Sequence, residues 1–178
     1  MARQYYSDVI TEPLSSDFAT ITATTETVLI PTAFTPIGAN EPRAGKVYHL
    51  LVGGTCTTGT AGTLTITPRY GTTVSGVSIG VSPAQNYVPS ITTAPFIFEY
   101  FLIIRSIGQA GTNSVVYGTG KWISGGAIAT AASQTVVVAS ATATASVDTS
   151  IAAALWIGVT FSVAPSVIPR WHLWHALN

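Results

Sequence analysis

Three stretches of this chain alternate residue by residue. Gly62-Thr63-Leu64-Thr65-Ile66-Thr67 is the strictest, and Phe18-Ala19-Thr20-Ile21-Thr22-Ala23-Thr24 and Val77-Ser78-Ile79-Gly80-Val81-Ser82 repeat the pattern. A period of two sends successive side chains to opposite faces of a strand and cannot build the apolar stripe of a helix, which needs a period near 3.6. The alternating polar residue is most often Thr, whose β-branch suits a half-wetted strand surface. The chain is therefore expected to be sheet.

Other segments extend the prediction. Residues 46–53 and 95–107 are apolar enough to be largely buried strands, with Phe96, Phe98, Tyr100 and Leu102 on one face of the second. Residues 114–117 and 120–123 flank Gly118-Thr119, which together with Gln109-Ala110-Gly111-Thr112-Asn113 reads as two adjacent turns of a β-meander or hairpin. Residues 135–139 and 155–163 complete the set, the latter alternating Leu155, Ile157, Val159 and Phe161 against Trp156, Gly158, Thr160 and Ser162. About eight to ten short strands with Gly/Pro/Asn punctuation predict an all-β protein, a jelly-roll-like antiparallel β-sandwich, with another Greek-key sandwich as the alternative. Single helical turns are expected at residues 150–154 and 172–177. One domain is expected over residues 18–178, ending in a short Trp/His tail. Residues 1–17 read as an N-terminal arm that packs against a neighbour, with an ordinary first strand of the same domain as the other reading. Arg3, Tyr5, Tyr6, Asp8 and Glu12 supply that arm's charges and aromatic anchors.

Composition decides what such a sandwich can do. The chain has seven Lys or Arg and seven Asp or Glu among 178 residues, where an ordinary domain of this length carries roughly 45 charges. With net charge +0 there is no basic face to neutralise phosphates, so nucleic acid is not an expected partner. A single cysteine, Cys56, leaves no intrachain disulfide framework. The first residues lack the apolar stretch of a signal peptide. The uncharged run 149–169 is long enough to span a bilayer, but its Thr, Ser and Pro content argues against a membrane helix.

Candidate chemistry is sparse. Active sites need convergent titratable groups, and the carboxylates Asp8, Glu12, Asp17, Glu26, Glu41, Glu99 and Asp148 are scattered. Glu99, inside an apolar run, is expected to pair with Arg105 or Lys121 on an edge or interface strand. Cys56 lies among hydroxyl side chains with only His49 near in sequence, and is expected to be a small buried residue. His172 and His175 have the spacing of two metal ligands on a helical turn, but no third ligand is near in sequence. Trp171, Leu173, Trp174 and Leu177 are expected to close the core or an interface. No cofactor motif is present, and the chain is not expected to be an enzyme.

The segment Asp148-Thr149-Ser150-Ile151-Ala152-Ala153-Ala154-Leu155-Trp156-Ile157-Gly158-Val159-Thr160-Phe161-Ser162 resembles the C-terminal part of compact jelly-roll virion proteins of tailed bacteriophages, of the head-decoration, head-fibre or minor-tail type. In those proteins an Asp-Thr-Thr/Ser turn leads into a final alternating strand, and Phe161 holds its aromatic position here. The resemblance implies a virion location, a homotrimer, and docking on a major capsid protein or another virion protein. The expected interaction residues are Arg3, Tyr5, Tyr6, Asp8, Glu12, Trp171 and Trp174. The alternative is a receptor- or glycan-binding module of a fibre, spike or minor tail protein, with Tyr5, Tyr6, Tyr70 and Tyr87 as candidate sugar-contacting aromatics.

Overall fold

A computed structural model describes residues 7–9, 16–73, 76–109, 114–125, 134–139, 144–145 and 147–177. In chain order the strands are β1 (Ser7–Val9), β2 (Thr27–Val28), β3 (Pro36–Ile37), β4 (Val47–Thr58), β5 (Gly62–Gly71), β6 (Val77–Ser78) and β7 (Gln85–Tyr87). They continue with β8 (Ile91–Ser106), β9 (Val115–Ser124), β10 (Gln134–Ala139), β11 (Thr144–Ala145), β12 (Ala153–Phe161) and β13 (Ser166–Leu177). The larger sheet runs β1-β13-β4-β8-β9-β10, with β11 also on β9. The smaller runs β2-β12-β5-β6, with β3 on β12 and β7 on β5. Every ladder between these strands is antiparallel. The two sheets pack as a β-sandwich.

Alternation supplies the core. Tyr48, Leu50 and Val52 of β4, Phe96, Phe98, Tyr100 and Leu102 of β8, and Trp174 of β13 point inward from the larger sheet. Leu64 and Ile66 of β5 and Leu155, Ile157, Val159 and Phe161 of β12 meet them from the smaller one. Each large side chain of this kind contributes about 1.5–3 kcal/mol by leaving water. Phe96 and Trp122 stack at 4.2 Å, and Tyr48 and Trp174 at 5.3 Å.

Several expectations need correction. Residues 172–177 form no helical turn; with 166–171 they make β13, hydrogen-bonded between β1 and β4, so the expected tail is an interior strand of the larger sheet. Ala153 and Ala154 already belong to β12, which leaves no helix over 150–154. Gly118-Thr119 is no turn either, because β9 runs unbroken through it; of the other expected turn, 109–113, residues 110–113 lie outside the described residues. A side chain on Gly118 would overlap the Tyr100 hydroxyl, and one on Gly120 would strike the Tyr100 ring and the Glu99 carbonyl. These glycines make room for a buried tyrosine on the neighbouring strand, the other common reason for glycine in a strand.

Residues 18–24 yield only a single bridge, Ile21 to Val167, because Phe18 and Ile21, three apart, are the pair sent into the core. β6 stops after two residues, and the chain then follows β5 more loosely, with Ile79 and Ser82 bonding to Pro68 and Ile66. The uncharged run 149–169 contains β12 and the start of β13. No helix among the described residues is long and apolar enough to cross a membrane.

Candidate functional site: the outer face of the larger sheet

Antiparallel register places residues of four strands in rows across the face that the larger sheet turns away from the core. One row holds His175, His49, Phe101 and Thr119; the next holds Leu173, Leu51, Glu99 and Lys121. Around them the same face carries Val47, Ile103, Tyr117, Ile123 and Leu177, all half-buried, and Trp171 and Ile97, which are 41% and 46% exposed. A sheet with one face on the core normally presents polar residues on the other. Here that other face is mostly apolar. Trp171 lies flat over Gly53, where any side chain would collide with the indole.

A hydrogen-bonded ladder crosses this face. Lys121 Nζ lies 3.3 Å from Glu99 Oε2, His49 Nε2 lies 3.1 Å from Glu99 Oε1, and His49 Nδ1 lies 2.7 Å from His175 Nε2. An ionised carboxylate only accepts, so His49 Nε2 donates to it. In neutral His49 the lone pair then sits on Nδ1 and accepts the proton of His175 Nε2. The His49 ring also stacks on Phe101 at 4.3 Å and 4°. Burial first, and then the neighbouring His49, lower the pKa of His175 below its ordinary value.

Among the described residues the ladder consists of Lys121, Glu99, His49 and His175, with no hydroxyl or thiol bonded to either imidazole. Among the described residues no group of three or more His, Cys, Asp or Glu could hold a metal. The His172–His175 pairing considered from sequence is not formed. Strand geometry sends the two to opposite faces: His172 is buried against Phe18 and Phe34, and His175 joins the outer ladder. Burial lowers the pKa of His172.

The remaining candidates sort clearly. Glu99 pairs with Lys121, as one of the two expected options, but β8 is an interior strand between β4 and β9, not an edge. Cys56 is buried, and burial pushes its thiol up to about 11. Beside it, between the sheets, lies a void of about 20 Å³, room for roughly one water molecule and no larger ligand. Asp148 makes the expected turn by accepting from Ser150 N and Oγ at 2.9 and 2.6 Å.

Trp174 is fully buried, with its indole N–H donating to Pro36 O at 3.0 Å; Trp171, three residues earlier, faces outward. Of the two tryptophans expected to close the core or an interface, Trp174 is in the core and Trp171 lies outside it, on the outer face. Tyr70 is 2% exposed, so it is a core residue and no sugar platform. Tyr87 donates to Val163 O and packs on Phe161. Arg3, Tyr5, Tyr6 and Glu12 lie outside the described residues. Asp8 lies in β1, paired through its backbone with Ala176 of β13 in the same chain.

His49 and His175 escaped sequence reasoning as partners because they lie 126 residues apart, and nothing local fixes the register of β4 on β13. The class of the molecule is that of an antiparallel β-sandwich with an apolar outer face. No protein-family model, curated protein or solved structure matches the chain.

Proposed function

We propose that the protein is a non-enzymatic structural component of a virion, a decoration-type subunit that docks on a capsid lattice as a homo-oligomer. The observation that carries this reading is the apolar outer face of the larger sheet. Its four long strands, of 12, 12, 16 and 10 residues, give a flat surface on the order of 600 Å² in projection at about 4.8 Å between strands and 3.3 Å per residue. Accessible area exceeds projected area, so this surface approaches the roughly 800 Å² per partner of a standard interface.

The occupant proposed for it is a second copy of this chain. At the middle of the face, among the described residues, Lys121 and Glu99 already neutralise each other within the protomer, and the exposed Arg105 lies near the end of β8, so two such faces can meet over their centre without burying an uncompensated charge. A face that meets its own copy is isologous and closes as a twofold pair. The threefold assembly implied by the phage resemblance would instead set this face against a different surface of the neighbour.

Light scattering on the eluting protein tests the reading. The parent chain is expected at a multiple of 18.5 kDa, and Ile97→Lys, which adds a charge to the outer face without touching the core, is expected to run as monomer. A monomeric parent at micromolar concentration removes the proposal. The virion location is tested on the parent particle, where a decoration protein is expected in hundreds of copies on the head.

A further inference from the structure

The outer face of the smaller sheet carries a different feature, a cleft of about 190 Å³ lined by Glu26, Thr27, Val28, Arg69, Trp156 and Gly158. Trp156 of β12 stands directly opposite Arg69 of β5, and Gly158, two residues on, lies opposite Val28 of β2. Arg69 grips Glu26 through both arms of its fork, Nε to Oε1 at 2.9 Å and Nη2 to Oε2 at 3.0 Å. The guanidinium and carboxylate are thereby held in one plane. A Cβ on Gly158 would sit 2.2 Å from Glu26 Oε1. Glycine at this point is what lets the carboxylate lie down across the strand. Trp156 is fixed at its edge by the bond from Nε1 to Gly71 O at 3.3 Å. The cleft is thus built from an anchored aromatic ring beside a planar, paired set of donors and acceptors.

Its chemistry narrows the ligand. The one positive and the one negative charge of the cleft cancel each other at contact distance, so neither a cation nor an anion finds an uncompensated partner. The polar wall disfavours a purely apolar ligand, because ionised groups stripped of water need hydrogen bonds in return. The volume lies below the roughly 300–1,000 Å³ of sites for drug-sized molecules, which leaves room for one small ring. A sugar ring has an apolar C–H face to lie on an indole, and adjacent hydroxyls that can accept from a guanidinium while donating to a carboxylate. We infer that the Trp156–Arg69–Glu26 cleft binds a single neutral sugar residue, either free or at the end of a glycan. This site is on the sheet opposite the proposed assembly face and does not depend on that assembly.

The test uses the full chain with glucose, galactose, mannose and N-acetylglucosamine, read by saturation-transfer NMR and tryptophan fluorescence. At least one is expected to bind with a millimolar Kd and to change the emission. Trp156→Ala is expected to weaken it at least tenfold, and Glu26→Gln to weaken it while preserving the melting temperature. Trp171→Ala, on the other sheet, is expected to leave binding unchanged. Glycans ending in the preferred sugar separate the two sources: tighter binding than the free sugar marks a glycan end, and equal or weaker binding marks the free sugar. Absence of binding by all four sugars overturns the inference. So does sugar binding that survives Trp156→Ala, or a preference for sialic acid over every neutral sugar. If Trp156→Ala does not fold, Glu26→Gln decides: unchanged affinity there overturns it equally.

Discussion

Two tryptophans three residues apart on β13 should respond to truncation in opposite ways. Trp174 is fully buried, stacks on Tyr48 at 5.3 Å and 9°, and donates to Pro36 O at 3.0 Å. Replacing such a side chain with Ala costs about 3–5 kcal/mol through lost burial and the cavity left behind, and the Pro36 carbonyl loses its partner as well. For a domain of 150–250 residues each kcal/mol shifts Tm by about 2–4 °C, so Trp174→Ala should lower it by about 6–20 °C. Trp171 is 41% exposed, and Trp171→Ala should move the Tm of dilute protein by only a degree or two while reducing any concentration dependence of Tm. Thermal unfolding followed by circular dichroism at two protein concentrations reads both effects. Equal losses from the two variants, or an unperturbed Trp174→Ala, would refute the placement of β13 and with it the outward face on which the assembly reading stands.

Gly118→Ala should destabilise by about 1–3 kcal/mol, the usual cost of overpacking, because the new methyl overlaps the Tyr100 hydroxyl; a urea titration showing no loss would contradict the packing of β8 on β9. His172 and His175 both have pKa values below the ordinary one, so below pH ~6.5 the unfolded chain takes up protons that the folded chain resists. Stability should therefore be at its plateau above that pH and fall on acidification towards the folded pKa values, more shallowly in His175→Gln; Tm measured from pH 7.5 to 5 checks the sign, and a rise on acidification would reverse it. Cys56, buried and with its thiol at about 11, should resist iodoacetamide in native protein and react promptly in urea, as mass spectrometry would show.

Strand identity was legible in the sequence wherever one face had to be buried. Leu155, Ile157, Val159 and Phe161 alternate in the chain and are all buried in the fold, and Phe96 to Leu102 behave the same way. Glycine was the ambiguous symbol. At Gly118 and Gly120 it reports the bulk of Tyr100 on the adjacent strand, a cross-strand fact that no local window contains. The tail is ambiguous for a related reason: Trp171, Trp174 and Leu177, three apart, match one face of a helix, and only pairing with β4 selects the strand, which sends Trp174 inward and the other two outward. The candidate sites were less legible still. Glu99 stands out as an odd charge in an apolar run with Lys121 as one of two expected partners, and the pair forms, but His49, from a third strand, has no local signal. Glu26, Arg69 and Trp156 meet across three segments and share no motif.

Among the described residues the larger sheet is flanked by β1 and β10, of three and six residues, and the smaller by β2 and β6, of two each. Brief flanking strands offer few free backbone groups to an incoming chain. Growth by strand addition has no natural stopping point and ends in fibres, whereas contact through a broad face is used up once made. A molecule of this design can be concentrated while each copy remains a separate folded unit.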